Sequence, residues 1–195
     1  SFTKNYIDKL LSSTTPLEQQ GDGMRSFVTV MLNALLSTHH SVVFLDEPEA
    51  FLHPPQARII GNYLSNERNA NGQLFISTHS HHILEGLAAG APGKLRIIRI
   101  TRKEDVNYAD ELEKSVAANL ANDPLARYSG VLEGIFYSHV IITESDADSL
   151  FYQSILDTDE VSGSSNPDVK FVHSSGKSRM AQIAALLQSI NVATS

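Results

Sequence analysis

The chain has 195 residues, of which 42% are hydrophobic and 19% charged, with a formal charge of −7 and no cysteine. That length can bury one sizeable core or two small ones. The acidic balance argues against a dedicated nucleic-acid binder, which is usually basic, and the missing thiols exclude disulfides and thiolate metal sites while fitting a reducing cytosol. Apolar runs such as Val42 to Leu45 are far short of a membrane span, and Ser1-Phe2-Thr3-Lys4 does not open like a signal peptide; the expectation is a cytoplasmic protein with no membrane partner.

Met24, Phe27, Val28, Met31, Leu32 and Leu35 recur at helical spacing, which predicts a helix from Gly23 to about Ser37. Ser41 to Asp46 is a continuous apolar run ending in carboxylates, the pattern of a buried parallel strand. Pro54-Pro55 opens a helix, where proline is tolerated in the first turn. Leu74 to Ser77 reads as a second short buried strand, followed by a helix from about Ser80 to Ala88. Gly90 and Pro92-Gly93 break that helix before a third strand, Leu95 to Thr101.

Ala109 to Tyr128 has a mostly polar helical pattern interrupted at Pro124 and reads as a connector. The strand–helix rhythm then restarts: strand His139–Thr143, helix Asp146–Asp157, a polar loop to Asp168, strand Val169–His173 and helix Ser178–Ile190. This alternation predicts an α/β protein with parallel sheets, in two units joined by the connector.

Val42 to Leu45 delivers Asp46 and Glu47 to the C-terminal edge of a sheet, where ligands bind in such folds. The pair suits a Mg²⁺-holding carboxylate followed by a base for water, and equally an acidic turn. Leu74-Phe75-Ile76-Ser77-Thr78-His79-Ser80 puts a histidine just beyond the next strand, where it serves either a phosphate and its attacking water or the surface. Gln20-Gly21-Asp22-Gly23-Met24-Arg25-Ser26 is a glycine-rich turn running into a helix N-terminus, suited to phosphate or to ordinary capping.

In order and spacing these segments resemble the ABC-type ATPases of the SMC-like and OLD families, from Gln19 to about Thr101. Asp46-Glu47-Pro48-Glu49-Ala50-Phe51-Leu52-His53 is similar to their Walker B strand end and D-loop, and Ile76-Ser77-Thr78-His79-Ser80 to their switch-histidine segment. The resemblance implies ATP with Mg²⁺ (or Mn²⁺), Asp46 on the metal, Glu47 and His79 as catalytic groups, and Gly21, Asp22, Gly23 and Arg25 as nucleotide contacts from a signature loop. Gly21 stands where many relatives carry serine. No G-x-x-x-x-G-K-[ST] occurs, so the sequence is expected to begin inside the ATPase and to bind ATP poorly as it stands.

Val140-Ile141-Ile142-Thr143-Glu144-Ser145-Asp146-Ala147-Asp148 repeats the geometry of a strand ending in a carboxylate. Glu144 and Asp148 suit shared divalent metals, and acids at a helix start are equally favoured by its dipole. The segment resembles the opening of a Toprim domain, which follows the ATPase directly in the OLD family, with Ser145 where glycine is usual. Val169 to Lys177 is similar to that domain's second strand and Gly-Lys turn, and the family's later Asp-x-Asp pair is absent. The literal Glu133-Gly134 is rejected as the Toprim opening, because Tyr137 stands where the second acid belongs.

The resemblance implies Glu144 and Asp148 as metal ligands and Lys177 near a phosphate. It divides the chain into the C-terminal part of an ATPase domain (1–105), a helical connector (106–137) and the N-terminal part of a Toprim domain (138–195). It also implies an ATP-regulated, metal-dependent DNA endonuclease in DNA processing or anti-phage defence. Its partners would be DNA, a second copy (a homodimer or higher homo-oligomer through the ATPase heads), and a defence-system protein or RNA. The rival is an ATP-gated, SMC-like DNA-binding scaffold with a non-cleaving Toprim unit. The remaining histidines, His39-His40 and His81-His82, are set aside as metal ligands: a zinc site needs ligands held on one face and usually an acidic or fourth partner, and adjacent His81 and His82 would point apart on a helix.

Overall fold

The computed structural model describes residues 9, 12–36, 42–66, 72–90, 94–112, 129–161 and 168–195. The apolar stripe between Met24 and Leu35 does form a helix, α1 (Asp22–Leu36), whose Phe27, Val30, Met31 and Ala34 pack onto the first core. Strands β1 (Val42–Asp46) and β2 (Gln73–Ser77) pair in parallel, in a register that sets Leu45 beside Ile76 and Asp46 beside Ser77. Helices α2 (Pro54–Asn66) and α3 (His81–Gly90) contribute Ala57, Ile60, Leu64, Ile83 and Leu87 to the core, onto which Leu45, Leu74 and Ile76 pack.

Glycines set how closely α2 and α3 approach. A Cβ on Gly61 would lie 2.5 Å from the Ile83 carbonyl oxygen, and one on Gly86 would lie 2.2 Å from that of Arg58. Both obstacles are backbone, so neither can yield by a rotamer change.

The expectation that β1 and β2 are buried throughout is corrected. Their burial alternates: Phe44 is 74% exposed and stacks on Phe75 with ring centroids 5.0 Å apart, so among the described residues only one face of this sheet is covered.

A second correction concerns the connector. The third strand is shifted to β3 (Ile98–Lys103), and Val106–Glu111, expected to enter a helical stretch, forms the antiparallel strand β4. The turn is Glu104-Asp105, with Glu104 at φ +54°; the two residues follow the requirements of a tight hairpin rather than those of a helix start. The expected boundary at residue 105 therefore falls inside a hairpin. Residues 113–128 lie outside the described part, as do His39 and His40; the helix seen within 106–137 is the short α4 (Val131–Gly134).

The C-terminal unit holds a three-stranded parallel sheet in the order β6-β5-β7. Its strands are β5 (His139–Thr143), β6 (Val169–His173) and β7 (Ala193–Thr194), and it is flanked by α5 (Asp146–Val161) and α6 (Lys177–Gln188). The sequence pattern does not predict β7, since two residues carry no readable period. Val140, Val172, Leu187 and Ile190 form the centre of the core, each at 0–1% exposure, a burial worth about 1.5–3 kcal/mol per side chain. Ile97 and Leu112, which flank the hairpin, belong to this core, and Leu95 packs against both cores.

Arg99, on β3, fastens the hairpin to this unit. Its guanidinium donates to four backbone carbonyls: Ile135 at 2.9 Å, Tyr137 at 2.9 Å, Asn191 at 3.2 Å and Ile190 at 3.3 Å. Burial lowers its pKa, while Asp110 and Asp168 favour the charge.

Among the described residues no helix is long and apolar enough to cross a membrane.

Candidate functional site

Parallel pairing of β1 and β2 brings their C-terminal ends to one edge, and the chain continues the ladder by one residue: the Glu47 N–H donates to the Ser77 carbonyl at 2.9 Å. Glu47 takes a left-handed conformation, φ +43°, as does Phe51, φ +66°. Such conformations cost about 1–3 kcal/mol in a non-glycine residue and gather at functional sites. The turn aims the Glu47 carboxylate at the next strand's end, where Oε1 lies 3.3 Å from His79 Nδ1 with both side chains more than half exposed.

Three further contacts surround this pair. Ser77 Oγ donates to Asp46 Oδ1, and Thr78 Oγ1 donates to Glu49 Oε1 while accepting the Ser80 N–H at 3.0 Å. Glu49 Oε2 is buried without a hydrogen-bond partner among the described residues. Sequence reasoning names Asp46, Glu47 and His79 but misses Ser77, Thr78 and Glu49. The signal is present, because a hydroxyl-bearing pair directly before the histidine and an acid two residues after Glu47 must meet once the strands pair in parallel.

The glycine-rich segment docks against the same turn. The Gly21 carbonyl accepts the N–H groups of Met24 and Arg25, both at 3.1 Å, and so starts α1. A Cβ on Gly23 would lie 2.7 Å from the Phe51 carbonyl oxygen, and Ser26 Oγ donates to the Ala50 carbonyl at 2.8 Å. Gly23 is thus required by close approach of two backbones. Asp22 and Arg25 pair with each other.

The C-terminal unit repeats the strand-edge arrangement. The Ser174 N–H donates to the Thr143 carbonyl at 2.9 Å and buried Ser174 Oγ donates to it at 3.0 Å, locking the ends of β5 and β6 together. The next side chains then meet: Lys177 Nζ lies 3.7 Å from Glu144 Oε2. Asp148 is placed differently. Ser145 Oγ accepts the Asp148 N–H at 3.2 Å, and Asp148 Oδ2 accepts both the Ser145 N–H at 3.2 Å and the Ser145 hydroxyl at 2.7 Å. This reciprocal pattern is a capping box at the start of α5, and it gives the serine at position 145 a purpose of its own. Glu133, set aside as a Toprim opening, pairs with Lys170 at 2.8 Å.

His81 and His82 do not point apart. Their rings lie 3.9 Å apart by centroid, and His82 Nδ1 is 3.6 Å from Glu85 Oε2. Glu85 is buried and held by Arg58, whose Nε donates to Oε2 at 2.8 Å. Burial first, and then neighbouring His82, hold the His81 imidazole below its ordinary pKa.

Comparison with known proteins bears on the first of these sites. Residues 10–85 match a family whose description reads AAA domain and names the AbiEii toxin of a type IV TA system. The chain is also 27% identical over 93 residues to an ATP/GTP phosphatase of Helicobacter pylori, a match covering 44% of this chain and 25% of that protein. This stretch is of the ATPase type. The chain spans about a quarter of the curated relative it matches. A solved structure from work on ATP-driven dimerization and DNA-stimulated activation of SMC ATPases superposes with a TM-score of 0.43 at 12% identity, covering 52% of this chain and 59% of that one.

Proposed function

We propose that the intact protein hydrolyses ATP at the β1–β2 edge, with Glu47 as the base that takes a proton from the attacking water. The observation that carries this reading is the Glu47–His79 pair, presented by adjacent strand ends on an ATPase-type stretch. Water oxygen bonds to the γ-phosphorus, the bond from that phosphorus to the β–γ bridging oxygen breaks, and ADP departs with the electron pair. Glu47 orients the water and takes its proton; His79 donates to the γ-phosphate. Asp46, an exposed hard-oxygen donor already steered by Ser77, fits a Mg²⁺ ligand, direct or through water. When bound, Mg²⁺ neutralises phosphate charge. Gly21, Asp22, Gly23 and Arg25 form the surface that would face nucleotide held by a second copy.

The finer reading, by resemblance to the OLD family, adds Mg²⁺- or Mn²⁺-dependent DNA cleavage at Glu144, Asp148 and Lys177. It is favoured by the meeting of Glu144 and Lys177 at one sheet edge. Glu144 fits a hard-cation ligand, whereas one oxygen of Asp148 is already committed to its capping box. DNA, a homodimer or larger assembly and a defence-system protein or RNA remain partners of this proposal, and the non-cleaving scaffold is its rival.

The deciding experiment is Glu47→Gln in the full-length protein. ATP binding should persist while turnover falls by about 10²-fold or more. Turnover at the wild-type rate would remove Glu47 from the role of base.

A further inference from the structure

We propose that His81, His82 and Glu85 form a binding site for a divalent transition metal of the zinc class, separate from both strand-edge sites. On a helix, positions three and four apart are neighbours, so Glu85 serves as a common partner to two successive histidines. One ligand atom from each of the three residues lies within 4.8 Å of the others. Tetrahedral coordination with Zn–N and Zn–O bonds near 2.0–2.1 Å sets ligand atoms about 3.3 Å apart. Closing the remaining distance is a matter of rotating side chains within one turn of α3.

The environment asks for such a ligand. His82 Nδ1 is buried with no hydrogen-bond partner among the described residues, and 3.6 Å to Glu85 Oε2 is too long to count as one. A buried polar nitrogen left unsatisfied is destabilising, and coordination would satisfy it. Glu85 is a carboxylate retained at 7% exposure. Arg58 Nε and Nη2 both sit on Oε2, but a carboxylate offers about four lone-pair positions, and a partner on one oxygen fixes its orientation toward a metal on the other. Two imidazoles with one carboxylate select zinc-like ions over Mg²⁺ or Ca²⁺. Three protein ligands leave a fourth position for water or another donor. Glu133 and Lys170, from α4 and β6, are the charged groups outside α3 that act on His81.

The test uses tag-free, chelator-treated full-length protein titrated with Co²⁺ and then Zn²⁺. The expected result is uptake of about one Co²⁺ per chain with the visible absorption of a tetrahedral ion, displaced by Zn²⁺ and unaffected by excess Mg²⁺. His81→Ala and His82→Ala should each weaken uptake at least about tenfold. Glu85→Gln also strips Arg58 of its charged partner and is prone to misfold for that reason, so the histidine variants decide, each first checked for its wild-type circular dichroism. If His82→Ala does not fold, His81→Ala alone decides. Absence of stoichiometric uptake by wild-type protein, undiminished uptake by a folded histidine variant, or displacement by Mg²⁺ would each overturn the site. None of these outcomes touches ATP turnover at Glu47, so this proposal and the ATPase reading fail independently.

Discussion

His79 Nδ1 lies 3.3 Å from Glu47 Oε1, each residue standing just past the end of one of two hydrogen-bonded parallel strands. The pairing depends on register. Slipping β2 by one residue would send His79 to the opposite face and leave Glu47 alone. With the imidazole 72% exposed, the domain has little packing to lose on its removal. His79→Ala in the full-length protein should slow ATP hydrolysis by about 10²-fold and change stability by no more than about 0.5 kcal/mol. Steady-state turnover and thermal melting check the two halves; a large drop in melting temperature would return His79 to a structural role.

Helix packing makes a sharper statement about stability. Gly86→Ala places a methyl group 2.2 Å from a backbone carbonyl. The gain in helix propensity, about 1 kcal/mol, cannot offset a clash that forces α2 and α3 apart, so a net loss of about 3 kcal/mol or more is expected. Gly21→Ala, with nothing within 4 Å of the added carbon, should be close to neutral. Urea denaturation of the two variants side by side measures the contrast.

At the second strand edge, Ser145 and Asp148 hold each other, whereas Glu144 faces Lys177. Ser145→Ala should cost about 0.5–2 kcal/mol through loss of the cap. Glu144→Ala should leave stability nearly unchanged and, in the full-length protein, abolish Mg²⁺- or Mn²⁺-dependent DNA cleavage while ATP turnover continues. A cleavage assay run with both variants separates capping from chemistry. Cleavage by Glu144→Ala equal to wild type would remove that residue as a metal ligand.

Arg99 invites a test by two substitutions. Arg99→Met removes all four hydrogen bonds to carbonyls and should cost about 2–4 kcal/mol. Arg99→Lys keeps the charge but not the planar fork, and should recover less than half. Hydrogen exchange should quicken in the Arg99→Met variant around residues 135–137 and 190–192, next to the carbonyls that lose their donor.

Much of this arrangement is legible because periodicity and strand-end chemistry are local signals. The stripe of α1, the apolar run before Asp46 and the restart at His139 all stand where their patterns place them. Four features are not legible, for physical reasons. β4 alternates polar and apolar residues too weakly to outweigh a helical reading, and only the Glu104-Asp105 turn gives it away. β7 is too short to have a period. The open face of β1 carries Phe44, and a run of apolar residues reads the same whether one face or both are covered. The convergence of His81 and His82 on Glu85 escapes the sequence because side-chain reach, and not the Cα–Cβ direction alone, decides which groups on neighbouring positions meet.

The Arg99 fork has a mechanical corollary. Its donors are fixed in one rigid plane, and the carbonyls they grip come from two chain segments, Ile135 with Tyr137 and Ile190 with Asn191. A tilt of the β3–β4 hairpin strains these bonds together. One side chain thus ties the hairpin to the end of α4 and to the turn before β7, and any load on the hairpin is shared between those two segments.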